Sequence, residues 1–334
     1  MPGRITTAVG GASVVALTVG LVSACGSSSS SGSGGSGGSS SKTMELIVGT
    51  KSDDFYVTME CGAEAEAKKL GVKLTVNGPA TFSVPQQKPL IDEAEVAKPN
   101  ALLVAPTDSQ ALDPDLLKVQ KNGTKVIFVD TSSSDTALGL SRISSNNAAG
   151  GKLAADQLGK LIGGKGTVAV IDVAKGVSTT DARVAGFQQE MAAKFPNIKV
   201  LPEQNDDADS VTAASSFVEG DISGHPTMNG VFAANVITAE GAASGIQHAH
   251  KSGKIKLATF DADTTQVADL KNGSLQLAIA QEPALEGADA VEQGLNAING
   301  KTVTKQIATP LIAVTPQNMN SASIKPYIYA STCG

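Results

Sequence analysis

The sequence predicts an α/β protein made of two doubly wound parallel-sheet domains. Three observations carry that prediction. From Met44 onward, short apolar runs alternate with helical patterns, the signature of repeated βα units. Most of the runs are continuously apolar rather than alternating, as strands buried on both faces must be. And about 290 residues follow Met44, more than one hydrophobic core accommodates.

The expected strands are Glu45–Thr50, Val72–Val76, Ala101–Ala105, Lys125–Val129, Thr167–Asp172, Gly230–Ala234, Ile255–Phe260 and Leu275–Ala280. In the first expected helix Met59, Ala63, Ala67 and Leu70 share one face, Glu60, Glu64 and Lys68 another, and Gly71 stops it. Further helices are expected near Lys88–Ala97, Leu112–Lys121, Asn147–Ile162, Asp181–Lys194, Ser210–Ser223, Ala239–Lys251 and Ala284–Asn299. The second βα series begins at Gly166, and Ser144–Asn147 is the expected crossing between domains.

The chain has no Trp, and 3% of its residues are aromatic, so the core must be Ala, Val, Leu and Ile packed around glycines. The formal charge is −6, and becomes −6 − 1 = −7 if a leader carrying Arg4 is removed. That acidic balance, with no basic run, argues against nucleic acid and against adhesion to anionic lipid.

Residues Met1 to Ala24 carry one charge, Arg4, and end in Leu21-Val22-Ser23-Ala24-Cys25. This ending resembles the lipobox of bacterial lipoproteins, which implies cleavage before Cys25 and acylation of that cysteine. An uncleaved anchor helix is the alternative, and the many Gly, Thr and Ala residues make a poor span. Gly26 to Ser41 contains only Gly and Ser, a flexible tether with a reach of about 20–25 Å. With Cys25 assigned to lipid, Cys61 and Cys333 remain in a compartment that permits disulfides. They are expected to pair and pin the C-terminal tail to the first helix; two separate thiols are the alternative.

Signatures of catalysis mostly fail. Gly159 to Gly166 has Walker-like spacing, but Gly166 stands where Ser or Thr would hold magnesium, and a strand follows rather than a helix. Gly241-Ala242-Ala243-Ser244-Gly245 places its serine one residue late for a nucleophile elbow. His248 and His250 are two apart on an expected helix and diverge, and His225 is distant. The run Asn205-Asp206-Asp207-Ala208-Asp209 lacks calcium-loop spacing and reads as a solvated turn capping the next helix. Neither enzyme activity, metal nor cofactor is expected.

A different pattern is present. Asp130 follows Val-Ile-Phe-Val, Asn235 follows Val-Phe-Ala-Ala, Asp261 follows Leu-Ala-Thr-Phe, and Gln281 follows Leu-Ala-Ile-Ala. Asp53 lies three residues past Thr50. Open parallel sheets bind ligands outside the carboxyl ends of their strands. Carboxylates and carboxamides there can bridge neighbouring hydroxyls of a polyol, with Phe55, Tyr56 and Phe260 offering apolar faces. Asp and Asn also follow strands simply because they make turns.

The stretch from Met44 to about Val314 resembles the type I periplasmic binding proteins of the ribose-binding branch. The resemblance is carried by Phe55-Tyr56, Cys61-Gly62-Ala63-Glu64-Ala65, Ala105-Pro106-Thr107-Asp108-Ser109, Val129-Asp130 and Ser145-Asn146-Asn147-Ala148-Ala149-Gly150-Gly151. The second half adds Arg183-Val184-Ala185-Gly186-Phe187, Phe232-Ala233-Ala234-Asn235, Phe260-Asp261 and Ala280-Gln281. Their order and spacing across some 270 residues make the match specific.

The resemblance implies ligand contacts at Asp53, Phe55, Tyr56, Asp130, Asn235, Phe260, Asp261 and Gln281. It also implies two lobes closing about a three-strand hinge near Ser145-Asn146, Gln281–Pro283 and Pro310. The expected lobes are 44–145 plus 282–309 and 146–281 plus 310–320, after a leader (1–24) and a lipidated tether (25–43). The tail 321–334 would be tied to the first lobe. Four positions depart from the ribose pattern: Ala105 replaces an asparagine, Thr131 and Asp181 replace arginines and are expected contacts in their place, and Asp53 adds a carboxylate. Arg183 is expected to serve structure more than contact. The expected ligand is therefore a donor-rich solute: a sugar, polyol or cyclitol, or an amino-bearing compound. The expected protein is a monomeric lipoprotein on the outer face of the membrane, serving an ABC permease. A receptor signalling to another partner is the alternative. Related repressors share the core but need a DNA-binding headpiece where the leader and tether stand here.

Overall fold

The computed structural model describes residues 42–206 and 209–333. Cys25, with the expected leader and tether, lies outside these residues. The chain runs β1 (Thr43–Ile47), α1 (Asp54–Leu70), β2 (Lys73–Asn77), α2 (Val84–Ala97), β3 (Ala101–Val104), α3 (Asp113–Lys121), β4 (Lys125–Val129) and β5 (Ser141–Ser145). It continues α4 (Asn147–Leu161), β6 (Gly166–Val173), α5 (Ser178–Lys194), β7 (Ile198–Val200), β8 (Gln204–Asp206), α6 (Val211–Gly224), β9 (Gly230–Ala233) and α7 (Val236–His248). Then follow β10 (Lys256–Phe260), α8 (Thr264–Asn272), β11 (Leu277–Gln281), α9 (Pro283–Ile298), β12 (Gln306–Thr309) and β13 (Leu311–Val314).

These strands form two sheets, ordered β12-β5-β4-β3-β1-β2 and β13-β11-β10-β9-β6-β7, with β8 also on β6. Every pairing is parallel except that of β13 with β11. The two lobes are thus α/β units of one design, and each sheet is buried on both faces. Leu46, Leu103 and Ile127 belong to a core on one face of the first sheet, and Ile47, Leu102 and Phe128 to a core on the other. Val231 and Phe232 divide the second sheet in the same way. This explains the unbroken apolar runs in the sequence: both side-chain directions of a central strand enter a core.

Glycines set how closely the covering helices lie. A Cβ on Gly62 of α1 would stand 2.0 Å from Ala284 O of α9, and one on Gly151 of α4 would stand 1.9 Å from Arg183 O of α5. Each lobe therefore has at least one helix pair locked at a distance that no side chain permits.

The chain changes sheet three times: between β5 and α4, between β11 and α9, and at Pro310 between β12 and β13. Glu286 of α9 is fully buried beside these crossings and accepts from Ser145 Oγ (2.9 Å) and Thr309 Oγ1 (2.7 Å). Cys61 and Cys333 form a disulfide, with Cα atoms 5.2 Å apart. Among the described residues no helix is long and apolar enough to cross a membrane.

Candidate functional site

The carboxyl ends of the two sheets face each other across a cleft lined by residues of both lobes, the place where open α/β sheets bind ligands. From the first lobe, Asp53 caps α1 by accepting from Phe55 N at 2.8 Å. The cap fixes the start of the helix and so aims Phe55 and Tyr56 inward, with their rings edge to face at 5.1 Å. Phe82 stacks beside Tyr56 at 6.5 Å. Asp130 follows β4 and accepts from Tyr56 Oη at 2.7 Å. Thr131 also lines the cavity, and its hydroxyl donates to Pro106 O at 2.7 Å.

From the second lobe, Asn235 caps α7 and its Nδ2 donates to Asp209 Oδ1 at 3.1 Å. Asp261 follows β10 as Asp130 follows β4. The equivalence extends to the backbone: both aspartates have positive φ, 61° and 73°, and their amides donate to Ile143 O (2.8 Å) and Ile279 O (2.9 Å). Asp tolerates this left-handed conformation better than most side chains, and it turns each carboxylate out of the strand and into the cleft. Asp261 Oδ1 accepts from Gln281 Nε2 (2.7 Å) and Tyr329 Oη (2.8 Å). Its Oδ2 lies 3.6 Å from Arg183 Nη1.

Eight of the ten expected ligand residues therefore meet at this cavity: Asp53, Phe55, Tyr56, Asp130, Thr131, Asn235, Asp261 and Gln281. Two stand apart from the lining. Phe260 is the last residue of β10, and its ring enters the core under α4, beneath Arg183 (4.1 Å from ring centroid to guanidinium). Asp181 lies two positions before Arg183 on α5. Helix geometry separates residues two apart by about 200°, so only one of the pair can face the cleft. Arg183 does; Asp181 instead accepts from Gly176 N at 3.0 Å.

Arg183 and Asp209 are the lining residues that sequence reasoning placed elsewhere. Arg183 donates from Nε to Asn147 Oδ1 and from Nη1 to Ala234 O, both at 2.8 Å, so it links the first crossing to the cavity. Asp209 is half-buried at the cleft, not in a solvated turn; the helix cap is Ser210, which accepts from Ala213 N. Phe82 carried no signal, because it follows no strand or motif.

Four carboxylates (Asp53, Asp130, Asp209, Asp261) and one guanidinium line the site. Desolvation raises Asp53 well above the usual carboxylate range, and Asp261 opposite adds to this. Burial pushes Asp130 up to about 6, against the opposing pull of Arg183 and Tyr56. Asp209 is raised to about 6 by burial, partly offset by Asn235. Burial and the adjacent carboxylates push Tyr56 and Tyr329 well above 10, so both phenols remain donors. Among the described residues no group of three or more His, Cys, Asp or Glu side chains is placed to hold a metal ion. The lobes touch across the cleft through Ser109 N to Gly176 O and Ser132 N to Ser178 Oγ, both 2.9 Å.

Residues 44–302 match the family described as periplasmic binding protein domain. The ribose import binding protein RbsB of Bacillus subtilis is 30% identical over 300 residues, covering 89% of this chain and 96% of that protein. Among solved structures, an ABC transporter solute-binding protein from Agrobacterium vitis bound with α-D-tagatopyranose is 37% identical, with a TM-score of 0.84 over 86% of this chain and 99% of that one. A carbohydrate transporter solute-binding protein from Agrobacterium radiobacter, in complex with D-arabinose, is 27% identical, with a TM-score of 0.82 over the same 86% of this chain and 99% of that one. With its two parallel-sheet lobes and the cleft between them, this chain belongs to the periplasmic binding protein family, whose members bind solutes for transport and are not enzymes.

Proposed function

We propose that this chain captures a small polyhydroxylated solute, a monosaccharide or a related polyol, and delivers it to the permease of an ABC importer. The observation that carries this reading is the convergence of Asp130 and Asp261, from equivalent positions on the two sheets, onto one cavity with aromatic walls. Each carboxylate can accept from adjacent hydroxyls of one ring, and the Phe55, Tyr56 and Phe82 rings can cover its apolar face. Arg183 and Asn235 supply polar contacts beside them. Gln281 Oε1 is buried and has no hydrogen-bond partner in the protein; a ligand hydroxyl would satisfy it. Hinge closure about the three crossings turns occupancy into a shape that a transporter can read. The relatives described above, a ribose import binding protein and solute-binding proteins in complex with tagatose and arabinose, support the same class of ligand.

Thermal shift of the chain against sugars, polyols, cyclitols and amino compounds tests this. A ligand at 100 times its Kd adds about 2.7 kcal/mol of stability. Aldoses or ketoses are expected to give the largest shift. The four carboxylates make amino-bearing sugars the second group to respond. Stabilisation by amino acids or polyamines, with none by any polyhydroxylated compound, would overturn the assignment.

The anchor belongs to the same proposal. The protein is a monomer held outside the cytoplasm by acyl chains on Cys25, with Gly26 to Ser41 as its leash. Cys25→Ser is expected to move it from the membrane fraction to the soluble one. Retention of the variant in the membrane would point instead to an uncleaved helix.

A further inference from the structure

The end of the chain serves both lobes. After β13 it runs along the second lobe, where Met319 and Ile324 are buried in the core. At Tyr329 it changes sides. Tyr329 N donates to Ala262 O in the second lobe at 3.0 Å, whereas its ring is buried in the first-lobe core, edge-on to Phe55 at 5.6 Å. Ala330 N then donates to Thr58 Oγ1 at 2.8 Å, and Cys333 is bonded to Cys61, both partners being on α1. To the three chain crossings the tail thus adds a fourth connection, closed by a covalent bond.

The connection also reaches the cleft. Tyr329 Oη donates to Asp261 Oδ1 at 2.8 Å and accepts from Gln281 N at 3.3 Å. Together with Gln281 Nε2, the phenol occupies Oδ1 and leaves Oδ2 toward Arg183. Tyr56 Oη fills the corresponding role for Asp130, but from a helix of its own lobe.

We propose that the strap from Ile328 to Cys333 is a built-in limit on lobe opening, with Tyr329 as the positioning residue that latches it to Asp261. The role of Tyr329 toward ligand rests on the cleft being the binding site; the limit itself rests on connectivity. The strap is held to the second lobe at Tyr329 and to the first at Cys333, four residues on. An extended chain spans about 3.3–3.6 Å per residue, so the tie has roughly 14 Å of reach. Opening within that reach already draws Tyr329 off Phe55, and opening beyond it must strip Tyr329 from Asp261 and Ala262 as well. With the disulfide intact, the ligand-free receptor is held short of full opening, and Asp261 keeps its orientation for the next ligand.

Small-angle scattering of the ligand-free full chain tests the limit. Wild type, Tyr329→Phe and the double variant Cys61→Ser/Cys333→Ser are compared, with D-tagatose and D-ribose as probes of affinity. The double variant is expected to have a larger radius of gyration than wild type, and Tyr329→Phe an intermediate one. Reducing wild type should reproduce the increase and reoxidation should reverse it, which separates opening from misfolding. Where a probe binds, both variants should lose about tenfold in affinity. A radius of gyration unchanged in the variants and on reduction would overturn the proposal, whatever the sugars do. Failure of every sugar to bind wild type would overturn the proposed function alone, and scattering would still decide the strap.

Discussion

Replacing Arg183 by Met is expected to lower stability by about 3–5 kcal/mol, the usual cost of removing one partner of a buried ion pair. Arg183 is 3% exposed and holds four things together: Asn147 at the first crossing, the Ala234 carbonyl, the Asp261 carboxylate and the face of Phe260. Met fills much of the volume but donates nothing, so Asp261 Oδ2 is left buried beside an apolar side chain. Affinity for ligand is expected to fall about 10–100-fold as well, the scale of a lost hydrogen bond to a charged group. Chemical denaturation measures the first effect and calorimetric titration the second. Asp261→Asn in the same background removes the stranded charge and is expected to recover part of the stability, though not the affinity. A double-mutant cycle with no coupling between Arg183 and Asp261 would show that the 3.6 Å contact contributes little.

Acidification from pH 8 to pH 5.5 is expected to raise the melting temperature of the ligand-free protein. The carboxyls of Asp130, Asp209 and Asp263 are pushed up to about 6, Asp172 to about 7 and Glu286 to about 8, burial being the largest cause in each. The unfolded chain ionises these groups near 4, so between about pH 4 and pH 8 the folded state binds more protons than the unfolded one. Stability then falls as pH rises through that window. Two of these groups, each contributing one pH unit of difference, amount to about 2.7 kcal/mol, or roughly 4–5 °C for a chain of this size. Carboxylates held by surface lysines, such as Asp115 by Lys118 and Asp156 by Lys160, are shifted downward instead and stay ionised in both states across this range. Ligand reverses part of the trend, because hydroxyls that donate to Asp130 favour its charged form. The ligand-induced shift in melting temperature should therefore grow with pH. A melting temperature that is flat, or that rises toward pH 8, would contradict this account of the buried carboxyls.

The central strands and the residues just beyond them were legible in the sequence because one rule governs both. A parallel strand buried on two faces must be apolar throughout, and the first polar residue after it stands at the sheet's carboxyl edge. β5 escaped that rule: it reads Ser-Arg-Ile-Ser-Ser, with alternate residues half-exposed. α8, with Val267, Ala268 and Leu270 as its apolar residues among nine, gave too little periodicity, and β7, β8, β12 and β13 are short. Within the site, the rule placed Asp130, Asn235, Asp261 and Gln281 but misled at Phe260, one residue too early to escape the core. Arg183 against Asp181 was decided by which side of α5 faces the cleft, and the resemblance chose the other side. Asp209 and Tyr329 reach the site only because separate segments are folded onto each other, and no local pattern announces that.

The disulfide also changes what kind of object the chain is. Cys61 and Cys333 are 272 positions apart, so nearly the whole of both lobes lies inside one closed covalent ring. A protease that cuts one loop in that span releases no fragment; it opens the ring into two arms that remain bonded. Releasing a fragment takes a second cut or a reductant, so a receptor nicked once keeps both halves of its cleft on one covalent body.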